Sequence, residues 1–209
     1  MALTDRDLDI IETLTCRVPL LTFQQATRLW WPDCMKDRTA RRRFEKLSQS
    51  KWISQHVVNI TPLSTVTEPL FAWAPGIEAP DAVALAQQAQ ARRRNAARPT
   101  QVLAASPPAA AMMGSTAHGL PAPQRRDHYV NLAAVYVLYR TKNPNLARQW
   151  VGEHARAKSS FRQRTVDAVL RGPDASPIGL IHVAGRWEPH QVERFHDFCQ
   201  QSNLPYELW

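Results

Sequence analysis

The sequence predicts an α+β protein made of two ordered parts joined by a linker. Three observations carry this expectation. Residues 1–76 are rich in Leu, Ile, Trp and Phe and residues 125–209 again look globular, whereas residues 77–124 are dominated by Ala, Gln, Pro and Arg. Apolar residues recur at helical spacing in the first part, and again near residues 127–139 and 189–201. Short β-branched runs bounded by turn residues lie between these segments.

Within the first part, Thr4 followed three residues later by Asp7 marks a helix start, and Leu8, Ile11 and Leu14 continue it at helical spacing. Thr22 caps a second, short helix through Ala26 and Leu29 to Trp30, and Trp31-Pro32-Asp33 ends it. A third helix is expected over residues 36–48, with Ala40, Phe44 and Leu47 on one stripe. Arg38, Arg42 and Lys46 then project from the opposite side, flanked by Thr39 and Arg41, while Arg43 snorkels at the edge of the core stripe. Seven cations and two acids lie between positions 36 and 51. A strand over residues 52–60, a turn-rich loop and a second strand over 66–73 make a hairpin, and Pro75-Gly76 stops it. Helix, short helix, basic helix and hairpin, in that order, describe a winged helix-turn-helix over residues 1–76.

Residues 77–124 open with a strong helix former over 81–94 and continue with Pro99, Pro107, Pro108, Pro121 and Pro123 among Ala and Ser. This composition predicts a helix followed by a disordered linker. Arg92, Arg93, Arg94 and Arg98 read as a solvated charge run rather than a phosphate contact.

The last part, residues 125–209, is expected to be a small α+β unit. A helix covers 127–139, with Leu132, Val135, Tyr136 and Tyr139 inward. Residues 150–156 are a short helix or an extended segment. Strands over 166–170 and 178–183 flank a Gly/Pro turn and form a hairpin. A helix over 189–201 buries Val192, Phe195, Phe198 and Cys199, and residues 204–209 end the chain as a strand.

Charge narrows the function classes. The 209 residues carry 26 Lys+Arg against 18 Asp+Glu, a formal net charge of +8, which favours an anionic partner. No apolar run is long enough to span a bilayer, so no membrane partner is expected. Three widely spaced cysteines without a CxxC pair, and a start that does not read as a signal peptide, suit a cytoplasmic protein. No Walker, GxGxxG, GxSxG or zinc-ligand spacing occurs, so no cofactor or metal is expected. His182, His190 and His196 read as surface or half-buried histidines, and Trp187 as a core residue.

The expected partner is double-stranded DNA. Arg38, Thr39, Arg41, Arg42 and Lys46 are the candidate DNA-contacting residues, because a helix fits the major groove and Arg pairs bidentately with guanine. The loop at 61–67 holds no Lys or Arg, an unusual wing. The alternatives are a winged helix used for protein contact, or a structural adaptor whose basic helix meets RNA or an acidic protein.

An Asp on one strand, a hairpin, a second strand and a helix resemble the restriction-endonuclease-like core. The resemblance implies an acid on the first strand, met by Asp167, and an acid-x-Lys on the second. Here His182-Val183-Ala184 stands in its place. The expectation is therefore a degraded nuclease-like scaffold without catalysis, the alternative being a Mg²⁺-dependent nuclease built on Asp167. The chain also resembles the replication-relaxation family of plasmid and mobile-element proteins. The matching segments are Leu3-Thr-Asp-Arg-Asp-Leu-Asp-Ile-Ile-Glu-Thr-Leu14, Arg38-Thr-Ala-Arg-Arg-Arg-Phe-Glu-Lys-Leu47 and Val166-Asp-Ala-Val-Leu170. This resemblance implies action in replication, mobilisation or transcriptional control. The C-terminal unit would then serve homodimerisation or contact with a replication or transfer protein.

Overall fold

A computed structural model describes residues 2–32, 37–63, 66–93, 95–155 and 166–209. Lys36 at the expected start of the third helix, Asp33, the loop residues Ser64 and Thr65, Arg94 and Arg156 lie outside the described residues. The protein is α+β.

Helix α1 (Asp5–Glu12) begins with Thr4 and Asp7 capping each other, and a π-helical turn (Thr13–Arg17) follows. Strand β1 (Leu21–Thr22) leads into α2 (Phe23–Trp30), where Thr22 and Gln25 form a second reciprocal cap. These are the side chains that the orphan amides of a helix start require. Helix α3 (Arg38–Gln49) buries Ala40, Phe44 and Leu47. The Phe44 ring stands edge-on to Phe23 at 5.7 Å and to Trp31 at 5.3 Å.

Strand β2 (Ile53–Ile60) differs from expectation in its partner. It pairs along its whole length with β4 (Arg98–Ala105), from Ile53 opposite Ala105 to Ile60 opposite Arg98. Strand β4 lies inside the segment expected to be a disordered linker, and it also pairs with β1, giving a sheet ordered β1-β4-β2. Residues 102–105 are buried throughout, as befits a central strand covered on both faces. Such a strand shows a short continuous apolar run instead of an alternating one. Its Ala content and flanking prolines gave the run a linker's composition.

The expected second strand of the hairpin, β3 (Phe71–Trp73), pairs instead with β8 (Tyr206–Leu208). Residues 61–97 thus form an excursion out of the β2–β4 hairpin. This excursion supplies β3 and α4 (Ala82–Ala91), whose Leu85, Ala86 and Ala89 are buried against the C-terminal part. The division at residues 76 and 124 is therefore crossed by strand pairing in both directions. Helix α5 (Pro107–Met112) follows β4, capped by Ser106.

Helix α6 (Pro123–Lys142) is longer than expected at both ends. After it come α7 (Pro144–Gln149), β5 (Trp150–Gly152), a 3-10 turn (Glu153–Ala155), β6 (Ala168–Arg171), β7 (Pro177–His182), α8 (Pro189–Gln201) and β8. Among the described residues the second sheet is ordered β3-β8-β7-β6-β5. Strands β5, β6 and β7 form an antiparallel meander, and β8 returns parallel to β7 after the α8 crossover.

Side chains of β6 alternate between two cores. Ala168 and Leu170 join the core that runs through α6 to α1, α2 and α3, while Val169 joins the core under α4 and α8. No helix among the described residues is long and apolar enough to cross a membrane.

The two parts meet tightly at Trp150, which is fully buried. Its ring lies 5.4 Å from both Tyr136 and Tyr139, its Nε1 donates to the Arg17 carbonyl at 3.1 Å, and the Arg17 guanidinium donates back to its carbonyl. Gly152 lies against the same turn. A Cβ there would collide with the Arg17 carbonyl oxygen and sit 3.1 Å from that of Cys16. Both are backbone atoms and cannot swing away. Gly152→Ala is expected to destabilise the fold by about 1–3 kcal/mol, the usual range for overpacking, measurable as a lowered urea midpoint.

Candidate nucleic-acid interface

Helix α3 carries cations on more than one face, and the structure divides them. Arg38, Thr39, Arg42 and Lys46 are exposed, and none of their side chains forms a hydrogen bond or ion pair with a described residue. Arg41 is exposed as well, but its guanidinium covers the Phe23 ring at 4.4 Å and reaches Gln101 Oε1 at 3.3 Å. It is held to α2 and to β4, so it is less free than its neighbours to turn outward.

Arg43 points inward. Its Nε donates to Asp7 Oδ1 at 2.7 Å and a terminal nitrogen pairs with Oδ2. Asp7 is fully buried and also accepts from the Thr4 amide and hydroxyl, each at 2.7 Å. A buried carboxylate needs such partners to stay charged. The register of α3 follows from this pair: with Arg43 on Asp7 and Phe44 in the core, Arg38, Arg42 and Lys46 must face away.

The arginines of residues 92–98 do not form one cluster. Arg92 reaches the Glu68 carbonyl at 3.3 Å, and Arg93 donates to the Ala184 carbonyl at 2.8 Å. Arg98 stands apart and exposed at the open end of the β2–β4 hairpin, opposite Ile60. There it lines a cleft of 300 Å³ together with Arg41, Gln24, Thr100 and Gln101. Sequence reading did not bring Arg98 to this surface, because its placement depends on β4 pairing with β2. The one signal available was a cation just before an apolar run.

Asp167 occupies a different setting. It precedes β6, is 5% exposed, and both its oxygens are engaged. Oδ1 lies 2.7 Å from His128 Nε2, Oδ2 accepts from the Val183 amide at 2.8 Å, and His182 Nδ1 lies 3.1 Å from Oδ2. Burial pushes the carboxyl up, but His182, His128 and the Val183 amide more than offset this and hold it below the usual range. Burial pushes the His182 imidazole down. The ring of His182 stacks on Trp187 at 4.7 Å.

Glu153 is the next acid along this edge. Burial pushes its carboxyl up, but His154, Tyr129 and Arg125 outweigh this and bring it down to about 2. It accepts from Tyr129 Oη at 2.5 Å and from Arg125 at 2.9 Å. The divalent cation of the nuclease alternative does not fit here. Asp167 is buried and accepts from His128 and the Val183 amide, Glu153 is tied to Tyr129 and Arg125, and Ala184 stands where the Lys belongs. Among the described residues no group of three or more acidic, His or Cys side chains is placed to hold a metal ion. His196 pairs with Tyr206 Oη at 3.1 Å and His190 is exposed, so these two do not converge with His182.

No family model, curated protein or solved structure matches this chain.

The Asp7–Arg43 pair makes a pH-dependent prediction. Burial pushes the Asp7 carboxyl up, but its hydrogen bonds from Arg43 and Thr4 outweigh this and lower it. A depressed carboxyl contributes stability above its unfolded value of about 3.9, and that stability is lost as pH falls through the folded value. Asp7→Asn is expected to lose about 1–3 kcal/mol at neutral pH. Urea titrations of the two proteins should converge as the pH drops below about 4.

Proposed function

We propose that this chain is a sequence-specific double-stranded-DNA-binding protein of a plasmid or mobile element, acting in replication, mobilisation or transcriptional control. In this reading α1, α2, α3 and the β1-β4-β2 sheet are a winged helix-turn-helix, and α3 is the helix that enters the major groove. The observation that carries the reading is the outward face of α3, where Arg38, Thr39, Arg42 and Lys46 are exposed without a partner among the described residues. Exposed guanidinium groups on one face of a helix suit phosphate neutralisation and bidentate contact with guanine.

The wing in this reading is the β2–β4 hairpin. It has no free tip, because the chain leaves its open end for the second sheet. Arg98 supplies the cation that the loop at 61–67 lacks.

The second part has the order helix α6, meander β5-β6-β7, helix α8 and parallel strand β8. That order supports the nuclease-like scaffold suggested by the sequence, while the engaged Asp167 supports a role in packing over one in cleavage. The part is proposed to serve protein contact, with a second copy of this chain or with a replication or transfer enzyme.

Selection of bound duplexes from a random pool, followed by gel shifts on the selected site, tests the proposal. Arg38→Ala and Arg42→Ala are each expected to weaken binding by about 1–3 kcal/mol if they read bases. A phosphate contact alone would instead lower the salt slope by about one unit per residue. Unchanged affinity in the double variant would remove α3 from the interface. Preference for RNA or single strands in a parallel panel would favour the adaptor reading. Divalent-metal-dependent cleavage abolished by Asp167→Ala would favour the nuclease.

A further inference from the structure

A concavity lies away from the outward face of α3, where α2, the open end of the β2–β4 hairpin and α6 converge. It is a groove of 710 Å³, within the range of small-molecule sites. Its floor is apolar, made by Val130, Val137 and Leu138 of α6 with Ile60 and Leu63. Its rim is cationic, with Arg28 from α2, Arg98 from β4 and Lys142 from the end of α6. No Asp or Glu lines it among the described residues. Arg28 and Arg98 are exposed with no ion-pair partner among the described residues, and Lys142 reaches only the Thr67 carbonyl at 3.4 Å.

Asn131 adds an independent observation. It lines the groove yet is only 2% exposed. Its Oδ1 accepts from the Leu63 amide at 3.0 Å, which fixes the orientation of the carboxamide. Its Nδ2 is then left buried with no acceptor among the described residues. Gln25 beside it is satisfied, with Nε2 on the Val130 carbonyl at 2.9 Å and Oε1 accepting from the Thr22 amide at 2.8 Å. A buried amide donor without a partner is costly, and an acceptor brought by a ligand would relieve it.

From the apolar floor, the cationic rim and the unpaired Asn131 donor, we infer that this groove binds a small amphipathic anion: a carboxylate, sulfonate or phosphate head on an apolar or aromatic body. A phosphodiester strand would use the rim but has no use for a floor of Val and Leu, so the occupant is a small molecule and not a DNA backbone. The inference does not depend on α3 binding DNA.

Fluorescence titration of the full chain with 1-anilinonaphthalene-8-sulfonate, set against its neutral parent N-phenyl-1-naphthylamine, tests the site. One-to-one saturable binding of the sulfonate is expected, roughly tenfold tighter than the neutral parent. Arg28→Ala/Arg98→Ala should weaken the sulfonate by roughly tenfold or more and leave the neutral probe unchanged. Ala134→Phe, which fills the floor from α6, should block both probes. Circular dichroism and thermal midpoints confirm that each variant is folded. The inference is overturned by no saturable binding up to about 1 mM probe, by a stoichiometry above one, or by equal sulfonate affinity in the folded arginine variant.

Discussion

Both sheets are packed against helix α6. Its residues Tyr129, Val130, Leu132, Ala133, Val135, Tyr136, Val137 and Tyr139 are buried nearly all the way round, which a helix achieves only when structure covers it on more than one side. It shares one core with α2, the first sheet, Trp150, Ile181 and Trp209. Polar ties reinforce this placement. Arg140 of α6 donates to Asp9 Oδ1 at 2.8 Å, and Trp30 Nε1 donates to the same carboxylate at 2.7 Å, so one acid joins α1, α2 and α6. Burial pushes the Asp9 carboxyl up, but the Arg140 and Trp30 bonds outweigh it and keep the acid charged.

That arrangement explains why the chain does not divide into consecutive units. A hairpin whose connection runs from residue 61 to residue 97 can lend a strand and a helix to the neighbouring sheet and still close on itself. The entropic cost of a longer loop grows slowly with its length. Burial of Leu85, Ala86, Ala89 and Trp73 against α8 and β8 offsets it.

The basic character of α3 is likewise a product of packing. Its five cations look equivalent as letters, but their surroundings differ. Arg43 neutralises a buried acid, Arg41 lies on an aromatic ring, and Arg38, Arg42 and Lys46 remain in solvent. The same contrast holds between Arg93, which caps the Ala184 carbonyl, and Arg98, which stands at the open end of a hairpin. Asp167 stands just before β6, where its oxygens meet His128, His182 and a backbone amide.

Local signals were enough to read the helices of the first part, the β6–β7 hairpin and α8 from the letters alone. Caps such as Thr4 with Asp7 and Thr22 with Gln25, and stripes such as Ala40, Phe44 and Leu47, act within a few residues and so leave a mark in the sequence. Strand partnership leaves no such mark. Whether β2 pairs with residues 66–73 or with residues 98–105 is decided by which pairing buries more surface across the whole chain. An Ala-rich strand flanked by prolines carries no local advertisement of that outcome. The α+β class, most helix positions and an outward-facing basic stripe follow from such local signals. The pairing of β4, the surroundings of each charge and the groove beside α6 emerge only in the folded chain, because all three depend on contacts between residues far apart in the chain.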